Sequence, residues 1–207
     1  MYMGRKFDLR IFMVILCSKP YFVFAAPGFA RVSLADFTLA NFGKKEYNDY
    51  TGKLSLLPQR LIHETKQSVQ RKHPDWKELK QRTTISVDKL KQCLIAQGLT
   101  SEADWKERVI GRINEILRMV FLVAKEKLEA RYGCFEVFAC DFLLSQDNLN
   151  PYLMEINSNP SLLLDMDDSK EFLRTLMRDV VTLACDLHEG IDTRSNEEML
   201  DKVFRCA

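Results

Sequence analysis

The apolar positions at the beginning of the chain follow the pattern of extended strands. Apolar runs occupy Phe7–Leu16, Tyr21–Ala25 and Phe29–Leu34, with Ser18-Lys19-Pro20 and Pro27-Gly28 between them. Runs of this length that are rich in β-branched and aromatic residues, and bounded by Pro or Gly, are typical of strands joined by tight turns. The pattern therefore predicts three strands and two turns.

The same N-terminal residues also have features of a secretory signal peptide. A basic start precedes an apolar centre, and small residues stand at Ala25 and Ala26. However, Asp8 interrupts the basic part, and the apolar run from Ile11 to Cys17 is at the lower limit for a signal peptide and far too short to cross a bilayer. The hairpin is therefore the preferred interpretation, and a secreted or membrane-associated protein is the alternative.

Two longer segments have the apolar periodicity of helices. Ser101 and Asp104 resemble a capping box at the start of the first, whose apolar stripe continues until Gly133. The second extends from about Asp168 to His188. A shorter helix, capped by Ser86-Val87-Asp88, is predicted to run through Ala96 and to stop at Gly98.

The remaining pattern completes the predicted fold. Residues 134–144 and 151–156 read as two strands joined by the polar turn 145–148, whereas 36–85 are polar and irregular. Strands followed by long helices favour a mixed α/β (α+β) domain, with an antiparallel sheet and flanking long helices. We expect this domain to occupy residues 1–190, with 36–85 as an irregular basic insert and 191–207 as a polar tail.

Composition narrows the class of protein. The chain has 207 residues, of which 46% are hydrophobic, and this is enough for one domain with a core. A formal net charge of +1 gives no indication of a nucleic-acid or membrane partner. The six cysteines form no CxxC pair and have no zinc-site spacing, so a reduced, intracellular protein is expected.

Oxygen-bearing side chains interrupt the two C-terminal strands, and the second of these, at 151–156, is an apolar run typical of a strand buried in the core. Glu155 and Asn157 are two residues apart and so share one face of a strand, and Asp141 would lie near Glu155 in an antiparallel hairpin. Two adjacent carboxylates repel unless a proton or a cation lies between them. Hard oxygen ligands without His or Cys suit Mg²⁺. The alternative is an ordinary polar hairpin, with 157–160 as a turn.

Charged side chains also alternate along the first strand. Lys6, Asp8 and Arg10 share one face, and Arg31 on a neighbouring strand extends it. Such a face either contacts phosphates or is an exposed surface with self-compensating charges. Cations for phosphate oxygens beside a Mg²⁺ site would be the arrangement used in phosphoryl transfer. The sequence contains neither a P-loop nor a kinase motif.

Four segments, in this order, resemble the tubulin–tyrosine ligase-like family. They are GRKFDLRIFMVI, PGFARVSL, FEVFACDFLL and YLMEINSNPSLL, and SVQRKHPDWKELKQRTTISVDKL is similar to the family's stretch after its HLTN motif. The resemblance covers most of residues 4–190 and implies an ATP-grasp fold that joins an amino acid to a protein carboxylate. The pairing of CDFLL with EINSNPSL is most similar to the branch that adds glycine chains.

The resemblance implies a role for each candidate residue. Lys6 and Asp8 would contact ATP, and Arg10 and Arg31 would face the transferred phosphoryl group and the acceptor carboxylate. The implied Mg²⁺ ligands are Asp141, Glu155 and Asn157. ATP would phosphorylate a glutamate side-chain carboxylate, and the amine of free glycine or glutamate would then attack the acyl phosphate, which must be protected from water.

The HLTN motif is degenerate in this chain. Aligned on SVQRKHP, it reads His63-Glu64-Thr65-Lys66, so His63 and Thr65 become candidate ATP contacts, while Glu and Lys replace the family's Leu and Asn. An alternative alignment places residues 38–41 there, and the stretch KKEYNDYTGKLSLLPQRL has no clear counterpart. The front half of an ATP-grasp domain is also missing, so we expect the chain to be a C-terminal portion.

The implied partners are acidic. Residues 60–91 carry nine Lys and Arg against four Asp and Glu, and are expected either to attract the Glu-rich C-terminal tails of tubulin or another Glu-rich protein, or to form an ordinary solvated loop. The resemblance implies a cytoplasmic location on the cytoskeleton or ciliary axoneme. A catalytically inactive relative that binds tubulin or another acidic protein is the alternative function.

Overall fold

A central antiparallel sheet organises the protein. The computed structural model describes residues 1–18, 21–40, 42–48, 53–128, 133–162, 166–190 and 204–205. Its strands are β1 (Arg5–Ser18), β2 (Tyr21–Asp36), β3 (Glu46–Asn48), β4 (Lys53–Ser55), β5 (Thr84–Ser86), β6 (Phe135–Leu144), β7 (Pro151–Asn157) and β8 (Phe204–Arg205). The sheet order is β5-β2-β1-β6-β7, β8 pairs with β2, and β3 and β4 form a separate hairpin.

Helices cover both faces of this sheet. They are α1 (Leu57–His63), α2 (Gln67–Gln70), α3 (Trp76–Leu79), α4 (Val87–Ala96), α5 (Glu102–Asp104), α6 (Arg112–Ala124) and α7 (Asp167–His188). A π-helical segment, Trp105–Gly111, joins α5 to α6, and 3-10 turns occupy Lys80–Thr83 and Lys125–Lys127. The predicted mixed α/β domain, with an antiparallel sheet and flanking long helices, is confirmed.

β1 lies at the centre of two hydrophobic cores because its successive side chains point to opposite faces. Its odd-numbered residues, such as Leu9 and Ile11, pack in one core with Ile113 and Leu117 of α6. Its even-numbered residues Phe12, Val14 and Leu16 pack in the other core against α7. A strand that buries apolar side chains on both faces contributes to both layers of the domain.

The predicted turn at Pro27-Gly28 is wrong. β2 continues through these residues, and the pairing of Arg10 with Phe29 and of Phe12 with Ala26 leaves the Pro-Gly pair opposite Ile11 alone. This arrangement is a β-bulge, in which two residues face one on the partner strand. A Cβ atom on Gly28 would lie 2.0 Å from the carbonyl oxygen of Arg10, so the close approach of the two backbones requires glycine.

The helix predictions are confirmed except at one end. The Oγ atoms of Ser86 and Ser101 accept hydrogen bonds from the backbone N–H groups of Lys89 and Asp104, at 3.2 and 3.1 Å. The helical stretch that begins after Ser101 is predicted to continue to Gly133, but it ends after Lys127. A 3-10 turn tightens its end, and Leu128 is extended with φ −78° and ψ 135°.

The π-helical segment has a packing explanation. The buried stripe recurs at every fourth residue, at Trp105, Val109, Ile113, Leu117 and Phe121. In an α-helix four residues turn by about 400°, so such a stripe would drift by about 40° per step away from the core. The wider turn of a π-helix reduces this drift, and it therefore keeps the stripe on the sheet.

The last two strands form the predicted hairpin, but β7 is less buried than expected. Asp141 pairs with Glu155, as predicted, and Ala139 pairs with Asn157. β7 lies at the edge of the described sheet, and Met154 is 63% exposed. The interpretation of this run as a core strand is therefore wrong, and the polar side chains of β7 are only half-buried.

The domain boundaries stay a prediction. The tail from residue 191 lies outside the described residues apart from β8, and the predicted insert at 36–85 contains only short elements. Among the residues that the structure describes, no helix combines the length and the hydropathy needed to cross a membrane.

Candidate active site

The candidate site lies on the face of the sheet that α7 covers, close to where that helix begins. The even-numbered face of β1 is apolar at Phe12 and beyond, where α7 packs, and polar at Lys6, Asp8 and Arg10. A cavity of about 330 Å³ opens near this boundary, and Leu173, in the second turn of α7, contributes to its wall. The apolar-to-polar change along one strand face thus separates core from site.

The cavity is lined mainly by positive charge. Its charged and amide side chains are Arg10, Arg31, Lys66, Gln67, Arg71, Glu155 and Asn157. Phe29 and Leu173 supply apolar surface, and Ser68, Ser161 and Ser169 supply hydroxyl groups. Four basic side chains against one carboxylate make a concave surface that attracts anions.

An ion-pair network crosses three strands behind this cavity. Arg10 donates to both carboxylate oxygens of Asp141, at 2.8 and 2.9 Å, and Arg31 donates to Asp141 at 2.8 Å. Arg31 also donates to both oxygens of Asp8, at 2.7 and 2.9 Å. The strand register dictates these contacts, because Asp8 faces Arg31 and Arg10 faces Asp141 across their pairs.

Asp141 is held as an anion by its neighbours. Burial by itself would raise the pKa of this carboxyl group. Hydrogen bonds from Arg10, the charges of Arg31 and Arg10, and hydrogen bonding with the neighbouring carboxyl group of Glu155 together lower it below its usual range. A carboxylate offers about four lone-pair positions. The two arginines use three of them, and the described arginines leave one position on Oδ1 that faces no guanidinium group.

Glu155 and Asn157 are more accessible than Asp141. The side chain of Asp141 is 3% exposed, whereas that of Glu155 is 40% exposed. Nδ2 of Asn157 donates to Oε1 of Glu155 at 3.4 Å, and Nζ of Lys66 lies 3.8 Å from Oε2. Glu155 therefore has oxygen atoms at the cavity to which none of the described arginines donates.

The donor set fits a magnesium ion. Two carboxylates and an amide oxygen are hard ligands of the kind that Mg²⁺ prefers, and paired Asp141 and Glu155 stand on one face of adjacent strands. Within the described ranges, no group of three or more His, Cys, Asp and Glu side chains could hold a metal ion. A site at this position would therefore use an amide ligand, as the predicted set does with Asn157.

The segment before α2 connects to the network through Thr65. The hydroxyl group of Thr65 donates a hydrogen bond to the carboxylate of Asp8, and Thr65 is almost fully buried. The structure thus places Thr65 against the Asp8–Arg31 pair rather than in the cavity wall. Asn41, in the alternative alignment of the HLTN motif, lies outside the described residues.

His63 and Lys6 lie together, away from the cavity wall. The imidazole of His63 packs edge-to-face with the rings of Phe37 and Phe42, at centroid distances of 5.4 and 4.7 Å. Burial lowers the pKa of His63, and the charge of Lys6 lowers it further. Among the described residues, Nε2 of His63 is one of three buried side-chain atoms without a hydrogen-bond partner.

Sequence reasoning missed one residue that shapes the site. Gln70 is fully buried and is hydrogen-bonded to three backbone groups. Its Oε1 accepts from Leu34 N at 2.9 Å, and its Nε2 donates to the carbonyl oxygens of Leu61 and Glu64. It therefore fastens the segment that carries Thr65 and Lys66 to the end of β2. A single Gln in a basic, polar stretch gives no pattern that would have indicated this role.

The chain is similar to known proteins of one family. The model of the "Tubulin-tyrosine ligase family" matches residues 1–193. The chain belongs to the tubulin-tyrosine ligase family. The resemblance identified in the sequence is thereby confirmed, and the antiparallel sheet with its helices is consistent with part of an ATP-grasp domain.

Several members of this family are similar to the chain over most of its length. Protein polyglycylase TTLL10 of Macaca fascicularis is 33% identical over 187 residues, which cover 87% of this chain and 27% of that protein. Inactive polyglycylase TTLL10 of Homo sapiens is 33% identical over 176 residues, which cover 82% of this chain and 23% of that protein. Probable tubulin polyglutamylase TTLL9 of Mus musculus is 27% identical over 179 residues, which cover 86% of this chain and 34% of that protein. The chain thus spans about a quarter to a third of the length of these relatives.

Proposed function

We propose that the chain is part of an ATP- and Mg²⁺-dependent ligase. The ligase would add glycine or glutamate to a glutamate side-chain carboxylate of tubulin, or of another Glu-rich protein, by way of an acyl phosphate. The similar TTLL10 proteins are named polyglycylases, and glycine is therefore the preferred amino acid. We place this activity in the cytoplasm, on microtubules or the ciliary axoneme, without a nucleic-acid or membrane partner.

The observation that carries the proposal is the meeting of two chemical groups in one cavity. Arg10 and Arg31 present guanidinium groups there, and Glu155 and Asn157 present oxygen atoms on the adjacent strand. Guanidinium groups bind phosphate and carboxylate oxygens in a fixed geometry. The cavity thus combines an anion site with a cation site, as the joining of a phosphoryl donor to a carboxylate requires.

Each of the candidate residues would have its own role in the ligation reaction. Arg10 and Arg31 would orient the acceptor carboxylate and balance the charge that develops on the transferred phosphoryl group. Asp141 would hold both arginines in place, while Lys6, Asp8, His63 and Thr65 remain candidate ATP contacts. Glu155, Asn157 and the remaining position of Asp141 would hold Mg²⁺, which neutralises phosphate charge when bound. The walls formed by Phe29 and Leu173 would help to exclude water from the acyl phosphate.

The test is incorporation of labelled glycine or glutamate into tubulin by the whole ligase that contains this chain, with ATP and Mg²⁺. Glu155→Gln removes one charge from the cavity, and Glu126→Gln removes the same charge from an exposed position near the end of α6. We expect Glu155→Gln to lower incorporation by at least about 100-fold, the scale for loss of a group that stabilises transition-state charge. Glu126→Gln should leave incorporation unchanged. Equal incorporation by both variants would refute the assigned site.

A second candidate is a non-catalytic module that binds acidic protein tails. Two observations favour it: the ammonium group of Lys66 lies beside Glu155, and a similar human protein is named an inactive polyglycylase. Lys66 and Arg71 at the cavity would then attract Glu-rich segments. Salt-sensitive co-sedimentation with microtubules, without any ATP turnover, would support this function over the first.

A further inference from the structure

Lys66 places a positive charge where a metal ion would approach Glu155. Its Nζ atom lies 3.8 Å from Oε2 of Glu155, and both residues line the cavity. The backbone around it is fixed, because the carbonyl oxygen of Lys66 accepts hydrogen bonds from the N–H groups of Val69 and Gln70 at 2.9 and 3.1 Å. The preceding residue, Thr65, is hydrogen-bonded to Asp8. The lysine stem therefore starts from a defined point at the edge of the site.

Glu155 is the carboxylate on which a cation at this site would depend most. Arg10 and Arg31 already occupy three acceptor positions of Asp141, whereas no described arginine contacts Glu155. The described neighbours of Glu155 are the amide of Asn157, the ammonium of Lys66 and the carboxyl group of Asp141. An ammonium group and a divalent cation thus compete for the same oxygen atoms.

We propose that Lys66 is a built-in counter-cation of Glu155 that lowers the affinity of this site for a divalent cation. The inference rests on the proposed function, because it takes Glu155 as a metal ligand. In the metal-free protein the ammonium balances the charge of Glu155. When a divalent cation binds, the lysine side chain has to move away or accept repulsion from it.

The size of the effect follows from the exposure of the two side chains. Lys66 is 57% exposed and Glu155 is 40% exposed, so water screens their charges. A monocation and a dication about 6 Å apart in a water-like medium repel enough to change an equilibrium constant by about tenfold. Since the flexible lysine can swing outward, we expect removal of its charge to tighten divalent-cation binding by about threefold to tenfold.

The test is a Mn²⁺ titration of the full chain without ATP, in which electron paramagnetic resonance measures the free ion. Lys66→Gln removes the charge and should tighten Mn²⁺ binding by about threefold to tenfold. Lys66→Arg keeps the charge and should change the affinity much less. Lys106→Gln is the matched control, because Lys106 is exposed on the π-helical segment that packs on the opposite face of the sheet. It changes net charge equally and should leave the affinity as it is.

A second pair of variants separates this inference from the proposed function. In a Glu155→Gln background, Lys66→Gln should lose its effect, since the carboxylate for which the two cations compete is gone. One outcome would overturn the role of Lys66 and keep the metal site: Glu155→Gln abolishes Mn²⁺ binding, whereas Lys66→Gln leaves the affinity for Mn²⁺ unchanged or lowers it. Failure of every variant to bind Mn²⁺, Lys66→Gln included, would overturn both.

Discussion

Replacement of Asp141 by Asn tests the ion-pair network at its centre. The side chain of Asp141 is 3% exposed and accepts three hydrogen bonds from arginine side chains that are 14% and 8% exposed. The amide of Asn keeps the size of the carboxylate but directs an NH₂ group at guanidinium donors. Two buried cations then lose their shared anion, although Arg31 retains Asp8.

The expected cost can be bounded from these contacts. Hydrogen bonds to charged groups contribute about 1.5–3 kcal/mol each, but their losses at one residue are not additive. Breaking a buried ion pair by removing one partner costs about 3–5 kcal/mol. Because Arg31 keeps Asp8, we expect Asp141→Asn to lower the free energy of unfolding by about 3–4 kcal/mol. This is a large part of the stability of about 5–15 kcal/mol that is usual for a native protein.

Urea denaturation followed by circular dichroism measures this loss, and Glu155→Gln is the matched control. Glu155 is half-exposed and should lose less than about 1 kcal/mol. A loss below about 1 kcal/mol for Asp141→Asn would refute the reasoning, since it would mean that water already solvates the two arginines. A large loss also has a consequence for enzymology: lower activity of an Asp141 variant would not identify a metal ligand, and the metal test has to use Glu155 and Asn157.

The same group makes a pH prediction. The pKa of Asp141 is lowered in the folded protein from its ordinary value of 3.8. A depressed pKa stabilises the folded state fully above the unfolded-state value, and this contribution is lost as the pH falls below 3.8 and through the folded-state pKa. The wild-type chain should therefore lose stability more steeply than Asp141→Asn on acidification from pH 4 to pH 2. Parallel acid-unfolding curves would contradict the assigned ion pairs.

Three further predictions concern the surroundings of the site. Gly28→Ala should destabilise the chain by more than about 2 kcal/mol in urea denaturation, because a Cβ atom would meet the Arg10 carbonyl oxygen at 2.0 Å. Ser86→Ala should cost about 1 kcal/mol in the same assay through loss of the α4 cap, which accepts from Lys89 N, and Ser86→Gly should cost less. The imidazole of His63 should titrate below its ordinary pKa of 6.5 in an NMR pH series, since burial disfavours its charged form.

Much of the fold follows from local patterns in the sequence. The alternation at the start of β1 predicts correctly that Lys6, Asp8 and Arg10 share one face, and the caps at Ser86 and Ser101 mark helix starts correctly. The turn predicted at Pro27-Gly28 is wrong because the same two residues suit a bulge, and only the pairing with β1 distinguishes the two. Likewise, the exposure of β7 depends on its place in the sheet order, which its apolar composition does not encode.

The candidate site divides in the same way. Residues on strands, such as Arg10, Arg31, Asp141 and Glu155, can be placed together by register, and the structure brings them together. Residues on irregular segments cannot be placed so, because no periodicity fixes which way a loop turns. Gln70 is the clearest example, since its three backbone hydrogen bonds depend on the path of a segment that the sequence pattern leaves undefined.

This division bears on the choice between a ligase and a binding module. The network on the strands carries the residues that the family resemblance requires, and fold alone does not distinguish an active member from an inactive one. One departure from the family pattern, in the alignment that reads the HLTN motif as 63–66, is instead on the segment before α2, where Lys66 stands beside Glu155. If Lys66 only weakens metal binding, millimolar Mg²⁺ should still occupy the site and support ligase activity. If the ammonium of Lys66 instead takes the place of the metal ion beside Glu155, the cavity can only bind anions. Lys66→Asn restores the residue type of the family motif. It should therefore raise ligase activity if the protein is an enzyme, and should weaken binding to acidic protein tails if it is a binding module.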